Sequence, residues 1–254
     1  PRMNAVPEAY HGVWQRTLLR LSDGTEDIAT RVFWLQSAHL HADLRIPDPT
    51  PKLPFERAAQ AGFAGLTEAT SGRCQWHRII DFHPDSGTDI GNMQFVSSDE
   101  VHESALNGSY LEIWRRLPDS CGPVAETWLL SADGSGRQAC LLRAGDYFMF
   151  AADRPVRLGR GRSLSEYLQH DCARSAEHLL GCELTFGRIQ GGERPWQILF
   201  STLPAATGGL FSVPADPARW DALPVGWLGI YPPENGWRPT SLPRLQHLTT
   251  ETLV

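Results

Sequence analysis

His39, His41, Asp43 and Arg45 stand two residues apart in QSAHLHADLRIP, residues 36 to 47, so on an extended chain they form one polar row. Leu40, Ala42, Leu44 and Ile46 form the apolar row behind them. A histidine titrating near neutrality can give or take a proton, a carboxylate two residues away can fix its tautomer, and an arginine can hold an anionic group. His41 with Asp43 is therefore a candidate acid/base centre, with His39 as assistant and Arg45 as an electrostatic clamp. The same row also reads as the solvated face of an amphipathic strand. A third reading is a divalent metal on His39 and His41, since HxH on one strand can reach one ion, but no HExxH or cysteine-rich partner accompanies it.

Two further stretches carry chemistry. CQWHRIIDFHP places His77, Asp81 and His83 on one parity and Trp76, Arg78, Ile80 and Phe82 on the other. A polar cavity would let His77 join His41 across a barrel, whereas an apolar one leaves it outside. YLEIWRR puts Tyr110, Glu112, Trp114 and Arg116 on one face, either a substrate-stacking wall around a desolvated carboxylate or a structural closing strand. Trp34 and Gln36 complete the candidate ligand wall together with Trp76. They fall on the opposite parity to the histidines, so a bulge near Ser37 is needed to bring them into one cavity.

The elements that must hold these residues read as short β-strands. GVWQRTLLRL, TRVFWLQS with HLHADLRIP, FAGLTEAT, CQWHRIIDF, NMQFVSS, VHESAL and YLEIWRRLP alternate between turn residues, and AETWLLSA, RQACLLRA, DYFMFAADRP, CELTFGRIQ and PWQILFSTLP continue the pattern. Helices are expected at 54 to 62, with Pro54 near the start and Gly62 at the end, and at 163 to 179, where Ser163 and Glu166 have capping-box spacing. FAGLTEATSGRCQWHRIIDF and CELTFGRIQGGERPWQILF both follow a helix, which implies a diverged internal repeat. Many antiparallel strands with one helix per repeat fit an all-β chain of two barrels, over 8–118 and 119–254, whose closure removes exposed sheet edges. Paired open sandwiches fit the same pattern.

Composition narrows the function. Over 254 residues the formal net charge is −6 and Lys52 is the single lysine, which leaves no electrostatic footprint for nucleic acid. No window approaches the apolar length of a membrane-spanning helix. Cys74, Cys121, Cys140, Cys172 and Cys182 include no CxxC pair, and PRMNAVPEAYHG has no apolar targeting core, so reduced thiols in a cytoplasmic protein are expected. GxSxG, a Walker loop and a strand-to-helix GxGxxG are missing. Nine tryptophans supply aromatic bodies suited to cavity walls.

His11-Gly12-Val13-Trp14 carries a Gly-x-Trp ahead of the first strand, and YLEIWRR brings arginines to the end of the same repeat. This resembles lipocalin-like (calycin) barrels, in which the Trp plugs one end and an Arg of the last strand lies over it. FWLQS with DLRIP, DIGNMQF, YLEIWRRL and GDYFMFAADRP further resemble a poorly characterised family of two-domain lipocalin-like proteins of yeast and bacteria. That resemblance covers most of residues 10 to 155 and, more faintly, the remainder. It implies two calycin barrels forming a pseudo-dimer, with the second more structural, and carries no established reaction. The family often has a Tyr where this chain has His41.

Together these readings point to a cofactor-independent isomerase, hydratase/dehydratase or lyase acting by proton transfer on a small hydrophobic or aromatic molecule. Its candidate catalytic residues are His39, His41, Asp43, His77 and Glu112, and its candidate substrate-binding residues Arg45, Trp34, Gln36, Trp76, Tyr110 and Trp114. The alternative is a non-catalytic barrel that binds a hydrophobic ligand. Haem, known in some calycins, and association into a homo-oligomer are the remaining options.

Overall fold

The computed structural model of the chain describes residues 3–84, 86–171, 173–190, 195–212 and 223–230. Cys172 and the remaining parts of the second half lie outside the described residues. The chain is all-β with three short helices. The first sheet contains β1 (Gly12–Leu21), β2 (Glu26–Asp27), β3 (Arg31–Gln36), β4 (Leu40–Ile46), β5 (Ala61–Ala69), β6 (Arg73–Asp81), β7 (Asp89–Ser97), β8 (Glu100–Ala105) and β9 (Tyr110–Arg116). Each strand pairs antiparallel with its neighbour, and β9 returns to pair with β1, Trp14 opposite Arg116 and Leu19 opposite Glu112. Eight strands thus close a barrel, and β2 is a short extension on β1.

The second sheet is a curled half-barrel of seven strands in the order β15-β14-β13-β12-β11-β10-β16. These are β10 (Val124–Ser131), β11 (Gln138–Ala144), β12 (Tyr147–Ala152), β13 (Glu183–Arg188), β14 (Trp196–Ser201), β15 (Leu210–Phe211) and β16 (Trp227–Ile230). Among the described residues it does not close.

The two sheets pack outer face against outer face, and this answers part of the question posed by QSAHLHADLRIP. Phe33, Leu35, Leu40, Ala42, Leu44 and Ile46 share one buried cluster with Cys140, Leu142, Tyr147, Met149, Leu184 and Phe186. Phe33 stacks on Phe186 with centroids 4.5 Å apart. The apolar row of β4 therefore faces the second sheet, and the polar row faces the barrel lumen. Both faces are buried, so the solvated-face reading fails.

The internal repeat has a physical signature. The β5–β6 ladder shifts register between Ala64 and Gly65, and the β13–β14 ladder between Phe186 and Gly187. A Cβ on Gly65 would lie 1.8 Å from the His77 carbonyl oxygen, and one on Gly187 2.0 Å from that of Gln197. Only glycine permits these approaches, so the same bulge occurs at the same place in both halves.

The helices are shorter than the sequence predicts. α1 is Pro54–Arg57, because from Ala61 the chain is committed to the ladder with β4. The second expected helix is two, α2 (Leu164–His170) and α3 (Ala176–Leu179). Ser163 and Glu166 make the reciprocal capping box at the start of α2. The break follows from Asp171, whose carboxylate accepts the Ala173 and Arg174 N–H groups, after which Ser175 caps a new turn.

The Gly-x-Trp geometry is as the resemblance implies. Trp14 is fully buried at one end of the barrel, the Arg116 guanidinium lies 5.2 Å from its ring, and its Nε1 donates to the Tyr10 carbonyl at 2.8 Å. Tyr10 closes that end by donating its hydroxyl to Thr70 O at 2.6 Å. Among the described residues no helix is long and apolar enough to cross a membrane. Cys74, Cys121 and Cys140 are free thiols.

Candidate ligand site in the first barrel

A cavity of about 290 Å³ opens in the lumen away from the Trp14 plug, bounded by Leu19, Leu21, Trp34, Asp43, Arg45, Phe63, Trp76, Arg78, Asp89, Glu103, Tyr110, Glu112 and Trp114. Its size sits at the low end of the roughly 300 to 1,000 Å³ common for small-molecule sites. Three indoles meet at its base: Trp34 packs edge-on to Trp76 and Trp114 with centroids 5.3 and 5.7 Å apart.

Trp34 and Gln36 reach the lumen without a bulge. Residues 37 to 39 form the β3–β4 turn, and the ladder pairs Trp34 with Asp43 and Gln36 with His41. Paired residues of an antiparallel ladder share a face, so the turn resets the parity that sequence counting carries through. The same turn removes His39 from the row. Its Nδ1 lies 2.6 Å from Glu126 Oε1 on β10, while His41 points into the barrel. The HxH pair is thereby divided, His39 meeting Glu126 and His41 meeting Thr67. Among the described residues no group of three His, Cys, Asp or Glu is arranged to hold a metal ion.

His41 is fully buried below the cavity but is not part of its wall. Its Nδ1 is 2.9 Å from Thr67 Oγ1, Thr67 donates to Gln36 Oε1 at 2.9 Å, and Gln36 Oε1 also receives Trp34 Nε1 at 3.2 Å. Burial, with the nearby Arg78 and His77 charges adding to it, holds the imidazole well below the ordinary histidine range, so it stands neutral. Asp43 does not orient it: that carboxylate is engaged by Arg45, Nε to Oδ1 at 2.9 Å and Nη2 to Oδ2 at 3.2 Å. His77 is on the outer parity, 3.3 Å from Glu68 Oε2, and does not join His41 across the lumen.

The cavity wall is instead organised around carboxylates. Glu112 Oε1 lies 3.5 Å from Arg16 Nη1 and 3.8 Å from Arg45 Nη1, and its buried Oε2 has no hydrogen-bond partner. Glu103 on β8 is directly opposite Glu112 on β9. It accepts the Tyr110 hydroxyl at 2.9 Å and Trp114 Nε1 at 3.1 Å. Burial first, then the Glu112 and Asp89 charges, push the Glu103 carboxyl well above the usual range. Burial raises Glu112 too, against the pull of Arg45 and Arg16. Across the cavity Arg78 lies over Phe63, 3.6 Å from its centroid, and donates to Asp89 at 2.7 Å.

Glu103, Arg78, Asp89 and Phe63, with the apolar Leu19 and Leu21, are the members of this wall that the sequence candidates omit. A signal for Glu103 was present: the Asn107-Gly108 turn between two alternating runs brings VHES back against YLEIW.

A pH experiment follows from the raised Glu103 carboxyl. A group whose folded value exceeds its unfolded one, about 4.3 for Glu, stabilises fully below the unfolded value and loses that contribution as pH rises towards the folded one. Glu103→Gln mimics the protonated acid, so the variant gains stability relative to the wild type as pH is raised from acid to neutral. Urea unfolding of both proteins across that range checks this, and a gap independent of pH would refute it.

No family model matches the chain, and no curated protein matches it. Among solved structures, an uncharacterized protein of Saccharomyces cerevisiae aligns over 86% of this chain and 97% of its own at a TM-score of 0.54 and 12% identity. A lipocalin-like protein of Bacteroides uniformis aligns over 43% of this chain and 99% of its own, with a TM-score of 0.33 and 12% identity. An uncharacterized protein of Bacteroides eggerthii aligns over 42% and 99%, with a TM-score of 0.33 and 10% identity. At 12% identity the likeness to the yeast protein is one of fold alone, while the closed eight-strand barrel with Trp14 under Arg116 is this chain's own lipocalin-like feature.

Proposed function

We propose that the first barrel binds a small aromatic or hydrophobic molecule in its lumen. The observation that carries this reading is the cavity itself, walled by Trp34, Trp76, Trp114, Phe63 and Tyr110 around the unpartnered Glu112 Oε2. An apolar floor with a few convergent polar groups is the usual make-up of a small-molecule site. Burial of a ring against the indoles supplies affinity, and a hydrogen-bond donor on the ligand satisfies Glu112.

The second half supports the assignment to the first by contrast. Its ladder registers place Phe148, Phe150 and Ala152 where β4 has His41, Asp43 and Arg45. These side chains pack with Leu141, Trp196 and Ile198 into a cluster of their own, so that face is filled by the protein.

The test is a titration with small neutral aromatic molecules, 2-phenylethanol among them, followed by tryptophan emission and thermal unfolding. Saturable quenching with a rise in Tm that grows with ligand concentration is expected. Unchanged emission and Tm across the panel would overturn the reading.

Cofactor-free proton transfer on the bound molecule, as an isomerisation, hydration or elimination, is a second reading. It is favoured by two carboxyl groups, Glu103 and Glu112, paired across β8 and β9 on the cavity wall. In that reading Glu103 and Glu112 take the acid and base roles, with Asp43 acting through Arg45, which it holds 3.8 Å from Glu112.

A further inference from the structure

Charge in the lumen is out of balance. Four carboxylates, Asp43, Asp89, Glu103 and Glu112, line the cavity against two guanidiniums, Arg45 and Arg78. Both guanidiniums are already engaged, Arg45 by Asp43 and Arg78 by Asp89. Glu112 has only the long contacts to Arg16 and Arg45 through Oε1, and Arg16 is also shared with Asp27 at 3.1 Å. Among the described residues no cationic side chain pairs with Glu103. Two acidic side chains face each other across adjacent strands, which is unfavourable for ionised groups unless something positive comes between or beside them.

We infer that the lumen is built for a small organic cation, an aromatic amine whose ammonium sits at Glu103 and Glu112 while its ring rests against Trp34, Trp76 and Trp114. This rests on the reading of the lumen as a ligand site and names the class of ligand. The unpartnered Oε2 of Glu112, buried and on the cavity wall, is the acceptor that an N–H⁺ group satisfies. The three indoles favour the same charge, because the faces of aromatic rings attract cations. Without ligand a proton on Glu103 balances the pair, and an entering ammonium displaces it. A carboxylate-bearing ligand meets four acidic groups with no uncommitted guanidinium and is rejected.

Three molecules with one ring and different charge decide the matter: phenethylamine, 2-phenylethanol and phenylacetate, each titrated by calorimetry into the full chain near neutral pH. Phenethylamine is expected to bind roughly tenfold or more tighter than 2-phenylethanol, with phenylacetate weakest. Repeating the amine titration in buffers of different ionisation enthalpy should show proton release on binding. In Glu103→Gln the amine-to-alcohol affinity ratio should fall towards one, and Glu112→Gln provides the same readout if the first variant does not fold. Binding of 2-phenylethanol as tight as the amine would overturn the inference and leave the ligand-binding reading standing. Failure of all three to bind would overturn both.

Discussion

Replacing Arg45 by Met is expected to lower the unfolding free energy by about 3 to 5 kcal/mol, the usual effect of removing one partner from a buried ion pair. Asp43 is 2% exposed and receives both of its arginine hydrogen bonds from this one guanidinium. Arg45 also stands 3.8 Å from Glu112 and 5.6 Å from the Phe63 centroid, so its removal strands the Asp43 carboxylate, leaves Glu112 with Arg16 alone and uncovers a ring. Burial alone would make Arg45 easier to deprotonate, yet Asp43 and Glu112 hold it firmly charged.

The double variant Asp43→Leu, Arg45→Met should recover most of the loss, because a buried pair replaced whole by apolar groups leaves no uncompensated charge. Urea unfolding of the wild type, both single variants and the double variant gives the coupling directly. Additive losses would show that the pair is not acting as a unit. Survival of the fold in the double variant would also show that this pair is retained for what it does in the lumen.

Alternation in the sequence is enough to sort β4 into two rows, because side chains two apart on a strand must share a face. It cannot say which row meets the lumen, since that depends on what packs behind the strand. Leu40, Ala42, Leu44 and Ile46 look like the face turned to a barrel's own core, yet they are covered by the second half of the chain. A polar lumen is possible here because both of its guanidiniums are matched by carboxylates, Arg45 by Asp43 and Arg78 by Asp89.

Counting parity through a turn is what misplaces Trp34 and Gln36 relative to His41, and what keeps His39 in the row. Hairpin pairing is the better guide, since residues whose numbers sum to one constant lie opposite each other along a regular ladder. The long-range partner of His39 was illegible for a different reason. Glu126 is 87 residues away, and nothing local in AETWLL distinguishes it from a solvated strand residue. Both calycin landmarks, the Trp14 plug and the arginine over it, were legible because Gly-x-Trp and YLEIWRR fall at the two strands that close the barrel.

Glu126→Ala should cost about 2 to 5 kcal/mol, because it leaves two backbone donors unsatisfied at roughly 1 to 3 kcal/mol each. Its carboxylate accepts the Ser37 hydroxyl at 2.6 Å and the His39 and Leu40 N–H groups at 3.0 and 2.8 Å, and it meets His39 Nδ1 at 2.6 Å. Truncation leaves the His39 and Leu40 N–H groups without their acceptor and turns the Ser37 hydroxyl back to the Leu40 carbonyl, so the β3–β4 turn loses its anchor on the second sheet. That turn carries Gln36 and His41 into the lumen, so the same variant should also loosen the hydrogen-bond chain from Trp34 through Gln36 to Thr67. The pH dependence has the opposite sign to that of Glu103. Burial works to raise the Glu126 carboxyl, but the bonds from His39 and Ser37 outweigh it and hold it below the usual range. A depressed acid stabilises fully above the unfolded value, about 4.3, and loses the contribution as pH falls through the folded value. The stability gap between the wild type and Glu126→Gln should therefore be widest at neutral pH and narrow in acid. A gap that stays constant down to acid pH would show that the ionised carboxylate is not what fastens the turn.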